Sequence, residues 1–272
     1  MVRVTTDLVV LNVTVLNSEG RYVHHLTRSD FRVFEDAQAQ TISHFSAEET
    51  PFAAAVLLDT SGSMEQRLSM ARAAAVHFLE GLRSEDVAAV YNFDSKVTQV
   101  QDFSPSHDLA YMAFGIRAKG VTSLYDAVVN AAQQLAKRPE RRRAIIVLSD
   151  GADNHSGASL DKALAAALAA NATIYTVNMA DMETRNTSLG HVATNALKTF
   201  AEKSGGIYVS APGGQELREA FSTILEELGN QYTIAYEPTN RAHDGRWRTI
   251  DIKLSRPELT ARTRKGYKAK RQ

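Results

Sequence analysis

The oxygen-bearing side chains at the end of one apolar run are the first candidates for chemistry. In AAAVLLDTSGSME (residues 53–65), the run ends on Asp59, followed by Thr60, Ser61, Gly62 and Ser63. A second apolar run, RAIIVLSD (143–150), ends on Asp150, and a third stretch, KGVTSLYDA, carries Thr122 just before a helix-like pattern. Two carboxylates and several hydroxyls, with neither sulfur nor imidazole, suit Mg²⁺, Mn²⁺ or Ca²⁺ and do not suit structural zinc. Mg²⁺ is the first expectation. It takes about six oxygens and keeps some of its waters, which fits small Ser and Thr ligands with carboxylates acting partly through water. Two aspartates roughly cancel the charge of the ion, so an open position would attract a carboxylate from outside.

These residues need elements to bring them together. From Pro51 onward, apolar strand candidates (53–59, 87–93, 96–103, 143–150, 172–179 and 206–210) alternate with helical stripes. The stripes run Leu68, Ala71, Ala75, Phe78, Leu79, Leu82; then Leu124, Ala127, Val128, Ala131, Leu135; then Leu160, Ala163, Leu164, Ala167, Leu168; a further helix is expected over 214–229. Such alternation predicts a mostly parallel sheet with helices on both faces. Ligands of such sheets bind beyond the carboxyl ends of the strands, where strand order reverses. If the strands ending at Asp59 and Asp150 flank that point, both carboxylates face one crevice. Ser63 with Gln66 and Ser123 with Asp126 have capping-box spacing, which would start helices beside the strand ends. Considered alone, the Asp59–Ser63 stretch also fits a strand closed by an ordinary capped turn.

The two ends of the chain read differently. Residues 4–16 alternate Val9, Leu11, Val13 and Val15 with more polar neighbours, DFRVFED and AQTISHFSAE add short strands, and QYTIAYEP, RWRTIDIKL and ELTARTRKGYKA return to β after residue 230. A small all-β, sandwich-like domain split into residues 1–48 and 231–272, with an α/β domain of 49–230 inserted in it, accounts for β at both termini; two separate β appendages are the alternative. Trp247 and Tyr236 are expected to pack this β domain.

Composition limits the function classes. Apolar residues make up 44% and charged residues 23% of the 272-residue chain, ordinary values for a folded globular protein. Lys plus Arg and Asp plus Glu both number 31, so no global field favours nucleic acid, and the basic runs at 138–143 and in the tail read as solvated surface. Without cysteine there is no thiol nucleophile or thiolate metal site. No apolar run approaches the ~20 residues of a spanning helix, and the first residues, MVRVTTDLVVL, lack signal-peptide organisation. His24 and His25 are neighbours, which on a strand would point to opposite faces and make a poor metal pair. Asp153, Asn154 and His155 read as polar loop that could also shape the rim of the site.

Enzyme readings rank lower. DTSG differs from the Asp-Thr-Gly of aspartic proteases by the intervening Ser61, and the alternating pattern contradicts an all-β protease. Haloacid-dehalogenase-like phosphatases place a general acid two residues after their nucleophilic aspartate, where this chain has Ser61. Neither a dinucleotide-binding glycine pattern nor a P-loop is present.

DTSGS, GVTSL and VLSDGAD, in this order and spacing, resemble the motifs of von Willebrand factor type A domains over about residues 50–230. The resemblance implies a Rossmann-like fold and a metal-ion-dependent adhesion site. In it Ser61, Ser63 and Thr122 would contact the metal, Asp59 and Asp150 would act largely through water, and an Asp or Glu of a partner protein would complete the shell. The flanks are similar to those of a bacterial group of type A-related proteins that are often exported, which implies a periplasmic or extracellular location. The expected function is divalent-metal-dependent protein binding without catalysis. The alternatives are a structural or assembly module stabilised by its metal, and a metal-dependent phosphohydrolase.

Overall fold

The computed structural model describes residues 8–47, 50–105 and 120–271. Residues 4–7 of the first expected strand and the expected domain boundary at 48 and 49 lie outside the described residues. Two compact units divide the chain at Glu49/Thr50 and at Leu228/Gly229.

The first unit is all β. Its strands are β1 (Val9–Leu16), β2 (Phe31–Glu35), β3 (Gln38–Gln40) and β4 (Ile42–Ser46) from the N-terminal segment. The C-terminal segment supplies β11 (Tyr232–Tyr236), β12 (Trp247–Leu254), β13 (Thr260–Arg262) and β14 (Gly266–Lys268), the intervening numbers belonging to the second unit. They form two four-stranded antiparallel sheets, ordered β13-β1-β11-β4 and β14-β12-β2-β3, so both segments contribute to both sheets. Alternation along β1 buries Val9, Leu11, Val13 and Val15 with Ile234 and Tyr236 of β11, against Phe31 and Val33 of β2 and Ile250 of β12. The single stretch ELTARTRKGYKA becomes two short strands in different sheets, with Thr263 to Lys265 between them. Tyr236 packs the core as expected, but Trp247 is 44% exposed. Its indole lies where a β-carbon on Gly266 would come within 2.6 Å. His24 and His25 lie in the loop before β2 and not on a strand.

The second unit is α/β. Its sheet contains β5 (Phe52–Asp59), β6 (Val87–Phe93), β7 (Val97–Ser104), β8 (Arg142–Ser149), β9 (Ala172–Asn178) and β10 (Tyr208–Ser210). Their order is β10-β9-β8-β5-β6-β7, parallel throughout except for the edge strand β7. Helices α1 (Leu68–Glu80), α2 (Leu124–Leu135), α3 (Leu160–Ala169), α4 (Met182–Arg185), α5 (Ser188–Ser204) and α6 (Gly214–Gly229) accompany it. Every residue of β5 is buried, because both faces of the central strand are covered. Ala54, Val56 and Leu58 pack with α1 and α6 on one face, and Ala53, Ala55 and Leu57 share the other with α2, α3 and α5. The chain runs from β5 outward through β6 and β7, then crosses to β8 and continues the other way through β9 and β10. Strand order therefore reverses between β5 and β8, and the carboxyl ends of these two strands flank the crevice. Helices α4 and α5 have no counterpart in the periodicity reading. Among the described residues, no helix is long and apolar enough to cross a membrane.

Candidate metal centre

Asp59 is the last residue of β5 and Asp150 the first after β8, and register pairs Leu58 with Leu148. The two carboxylates thus stand at the ends of adjacent central strands. Asp59 is fully buried; it accepts hydrogen bonds from the Ser61 backbone N–H at 2.9 Å and the Ser149 hydroxyl at 2.5 Å. Ser149 Oγ in turn accepts from the Gly151 N–H at 2.9 Å. Burial pushes the Asp59 carboxyl up to about 7, the nearby charge of Asp150 adding to the rise and the Ser149 and Ser61 hydrogen bonds opposing it. Asp150 is also buried and accepts from the Ala152 N–H at 3.1 Å.

Two further loops complete the cluster. Thr60 ties the loop after β5 to β6, its N–H and hydroxyl both donating to the Phe93 carbonyl, at 2.8 and 3.1 Å. Beyond it Ser61 Oγ and Ser63 Oγ lie 3.2 Å apart. The Gly62 N–H reaches the Gly120 carbonyl at 3.4 Å, bringing the loop that carries Thr122 beside that of Ser61 and Ser63. Thr122 is buried; its N–H donates to Asn154 Oδ1 at 2.8 Å, and its carbonyl accepts from the N–H groups of Asn154 and His155, both at 3.1 Å.

The hydroxyls expected to cap helices do not cap them. Ser63 sits in a one-turn 3-10 segment, Gly62–Met64, and α1 begins only at Leu68, with Arg67 at its N-cap. Ser123 is the N-cap residue of α2, but its hydroxyl makes no capping bond and is buried without a partner among the described residues. Asp126 instead accepts from the Gly157 and Ala158 N–H groups, each at 2.9 Å. The loop after Asp150 serves the start of α2 in place of a cap: Asp153 accepts from the Tyr125 N–H at 2.8 Å, and the Ser156 hydroxyl from the Asp126 N–H at 3.1 Å. Asp153 and Asn154 are thus more than solvated loop, since they fasten the Asp150 loop to the Thr122 loop. Sequence reasoning also missed Ser149. Aligning the two strand ends in register, Leu58 against Leu148, would have placed it beside Asp59.

The donor chemistry suits a hard cation. Among the described residues, no group of three or more His, Cys, Asp or Glu side chains could hold a metal, so any ion here would need hydroxyl ligands. Asp59, Ser61, Ser63, Thr122 and Asp150 supply only oxygens; all but the exposed Ser63 are buried, where an unpaired carboxylate is costly and a cation would offset the cost. The residues therefore fit Mg²⁺ or a similar divalent ion.

Comparison with known proteins bears on the fold. Residues 54–152 match the family model described as von Willebrand factor type A domain. No curated protein matches the chain by sequence. Among solved structures, a von Willebrand factor type A protein from Catenulispora acidiphila is 13% identical, covering 100% of this chain and 76% of its own, with a TM-score of 0.55. The von Willebrand factor domain of the type V pili tip protein Mfa5 from Porphyromonas gingivalis is 14% identical over 66% of this chain and 95% of its own, with a TM-score of 0.54. A mutant of the PilB minor pilin from Streptococcus sanguinis is 15% identical over 68% of this chain, with a TM-score of 0.54, and this chain spans 63% of the pilin's length. Likeness at these identities is likeness of fold, and it coincides with the strand reversal and motif order described above. Residues 54–152 of the Thr50–Leu228 unit are thus similar to a von Willebrand factor type A domain, and the unit has the fold of such domains.

Proposed function

We propose that the α/β unit is a divalent-cation-dependent protein-binding module that takes an acidic side chain of its partner. The observation that carries this reading is the oxygen cluster at the reversal point, in which buried Asp59 meets a second carboxylate while the hydroxyls of Ser61 and Ser63 cap no helix. Asp59 and Asp150 supply the negative charge, and Ser61, Ser63 and Thr122 supply neutral oxygens. Ser149 and the Ser61 N–H orient the Asp59 carboxyl, and Asn154 fixes the Thr122 loop. A bound Mg²⁺, or Mn²⁺ or Ca²⁺ in its place, supplies an open coordination position for an outside carboxylate oxygen. The chemistry is coordination and not turnover. Structural neighbours that are a pilus tip protein and a minor pilin support an adhesive or assembly role for an exported, surface-located protein.

The burial of Asp59 favours a second, compatible role, in which the cation also stabilises the fold. Calorimetric titration of Mg²⁺ into chelator-treated protein tests the shared step. Saturable binding with one site is expected, and at a hundred times its dissociation constant the ion should stabilise the protein by about 2.7 kcal/mol. Asp59→Ala should abolish both effects. No heat and no melting shift at millimolar Mg²⁺, Mn²⁺ or Ca²⁺ would rule the proposal out.

A further inference from the structure

Three large apolar side chains are exposed in the α/β unit among the described residues: Met182 at 70%, Leu189 at 83% and Val192 at 67%. All three stand on helices that contact the loops of the oxygen cluster. On one side Gly151, the residue after Asp150, has φ +84° and lies so close to α5 that a β-carbon on it would come 2.7 Å from the Ala193 carbonyl oxygen. The turn of α5 at Ala193, which follows Leu189 and Val192 along the helix, therefore stands beside the Asp150 loop. On the other side Arg67 donates to the Ser63 carbonyl at 3.4 Å and to the Asp181 carboxylate at 2.5 Å, so one arginine links the Ser63 turn to the start of α4, where Met182 follows Asp181. Helices α4 and α5 are pressed together at Gly190, where a β-carbon would collide with the Thr184 carbonyl. The apolar stripe of α5, which buries Ala193, Ala196, Leu197 and Phe200, runs on toward Leu189 and Val192, which are exposed among the described residues.

Resting on the metal-site reading above, we infer that the partner of this site is a protein segment in which the acidic residue stands beside a bulky aliphatic or aromatic residue. The carboxylate reaches the cation, and the apolar side chain packs on Leu189, Val192 and Met182. A cluster of this kind at the rim of a polar site has the composition of a recognition surface, with an apolar anchor next to an oriented polar contact. The carboxylate contact alone is common to any exposed Asp or Glu, so the apolar contact sets the selectivity.

The test uses the full chain and paired synthetic peptides, one with glutamate flanked by leucine and phenylalanine and the other with the same glutamate flanked by serines. Binding is measured in Mg²⁺ and in chelator, after titration of Mg²⁺ alone. The expected result is Mg²⁺-dependent binding about tenfold tighter for the apolar-flanked peptide, the equivalent of burying one aliphatic side chain. The double variant Leu189→Gln, Val192→Gln should lose that preference and bind both peptides equally weakly, with its Mg²⁺ titration unchanged. Both positions are exposed and glutamine suits a helix, so the fold is kept. Equal binding of the two peptides, no binding of either with metal bound, or a preference that survives chelation or the double variant would each overturn the inference while leaving the metal site standing. Failure of the first titration would overturn the metal site, and the inference with it.

Discussion

Asp59 is where burial, charge and hydrogen bonding meet. Its carboxyl is buried and close to a second acid, so without a cation it holds its proton up to about pH 7, against an ordinary value of 3.8. The sign of the pH effect follows. In the unfolded chain the group ionises as pH rises through about 4, and in the metal-free fold it does so only near 7, so folding binds a proton in that window. Stability of the chelated protein should therefore fall as pH rises from about 4 to 7. The loss from this group should reach about 4 kcal/mol and stay constant above pH 7. A cation competes with that proton, so Mg²⁺ should bind more tightly as pH rises toward 7 and should lift stability most at the upper end. Melting curves from pH 4 to 8, with Mg²⁺ and with chelator, check both slopes. In Asp59→Asn the chelated protein should lose most of this decline and Mg²⁺ should have no effect. An unchanged slope in that variant would assign the pH dependence to other groups.

At the scale of elements, the loops of the site depend on contacts between parts distant in sequence. Gly151 combines a left-handed backbone with contact against α5, so Gly151→Ala forces both a strained φ and a clash with the Ala193 carbonyl. The expected cost is about 2–4 kcal/mol of stability, with weaker Mg²⁺ binding because Asp150 is the preceding residue; urea unfolding and titration measure the two effects. This contact also marks where the sequence could be read and where it could not. Strands β5, β6 and β8 and helices α1, α2, α3 and α6 followed from apolar periodicity, because each buries a strongly contrasted face; β6 and α6 begin and end at the expected residues. Helix α5 escaped because its buried stripe mixes Gly190, Ser204 and three alanines with only two large apolar residues, Leu197 and Phe200, and its most apolar residues near the start, Leu189 and Val192, face solvent. The capping boxes failed for a related reason. Local spacing suggested that Ser63 and Ser123 serve their own helices, but the loop after Asp150, about thirty residues on, supplies the bonds at the start of α2. The two strand-end aspartates were legible as a pair, since each closes an apolar run. Ser149 was not, and Asp153 and Asn154 were legible only as a loop that could shape the rim, since the partners of all three are set by strand register and loop packing.

For the whole molecule, equal numbers of acidic and basic residues leave no long-range field to steer a partner, so recognition rests on the local site. Every oxygen donor of that site lies within Thr50–Leu228, which has its own apolar cores on the two faces of one sheet. The β unit is different, because its N-terminal strands have their partners at the far end of the chain. Removing residues 229–272 takes β11 and β13 from β1, β11 from β4, and β12 from β2, leaving only the short β2–β3 pair. A lone two-stranded pair is marginal in water, so residues 8–47 should lose their fold. The truncated chain should keep the helical circular dichroism of the α/β unit and a Mg²⁺ affinity within about twofold of the full chain. Hydrogen exchange should show protection lost throughout 8–47 and retained in β5, β8 and β9. Loss of Mg²⁺ binding on truncation would make the β unit part of the site's support, and retained protection in β1 would show that the N-terminal segment folds without its C-terminal strands.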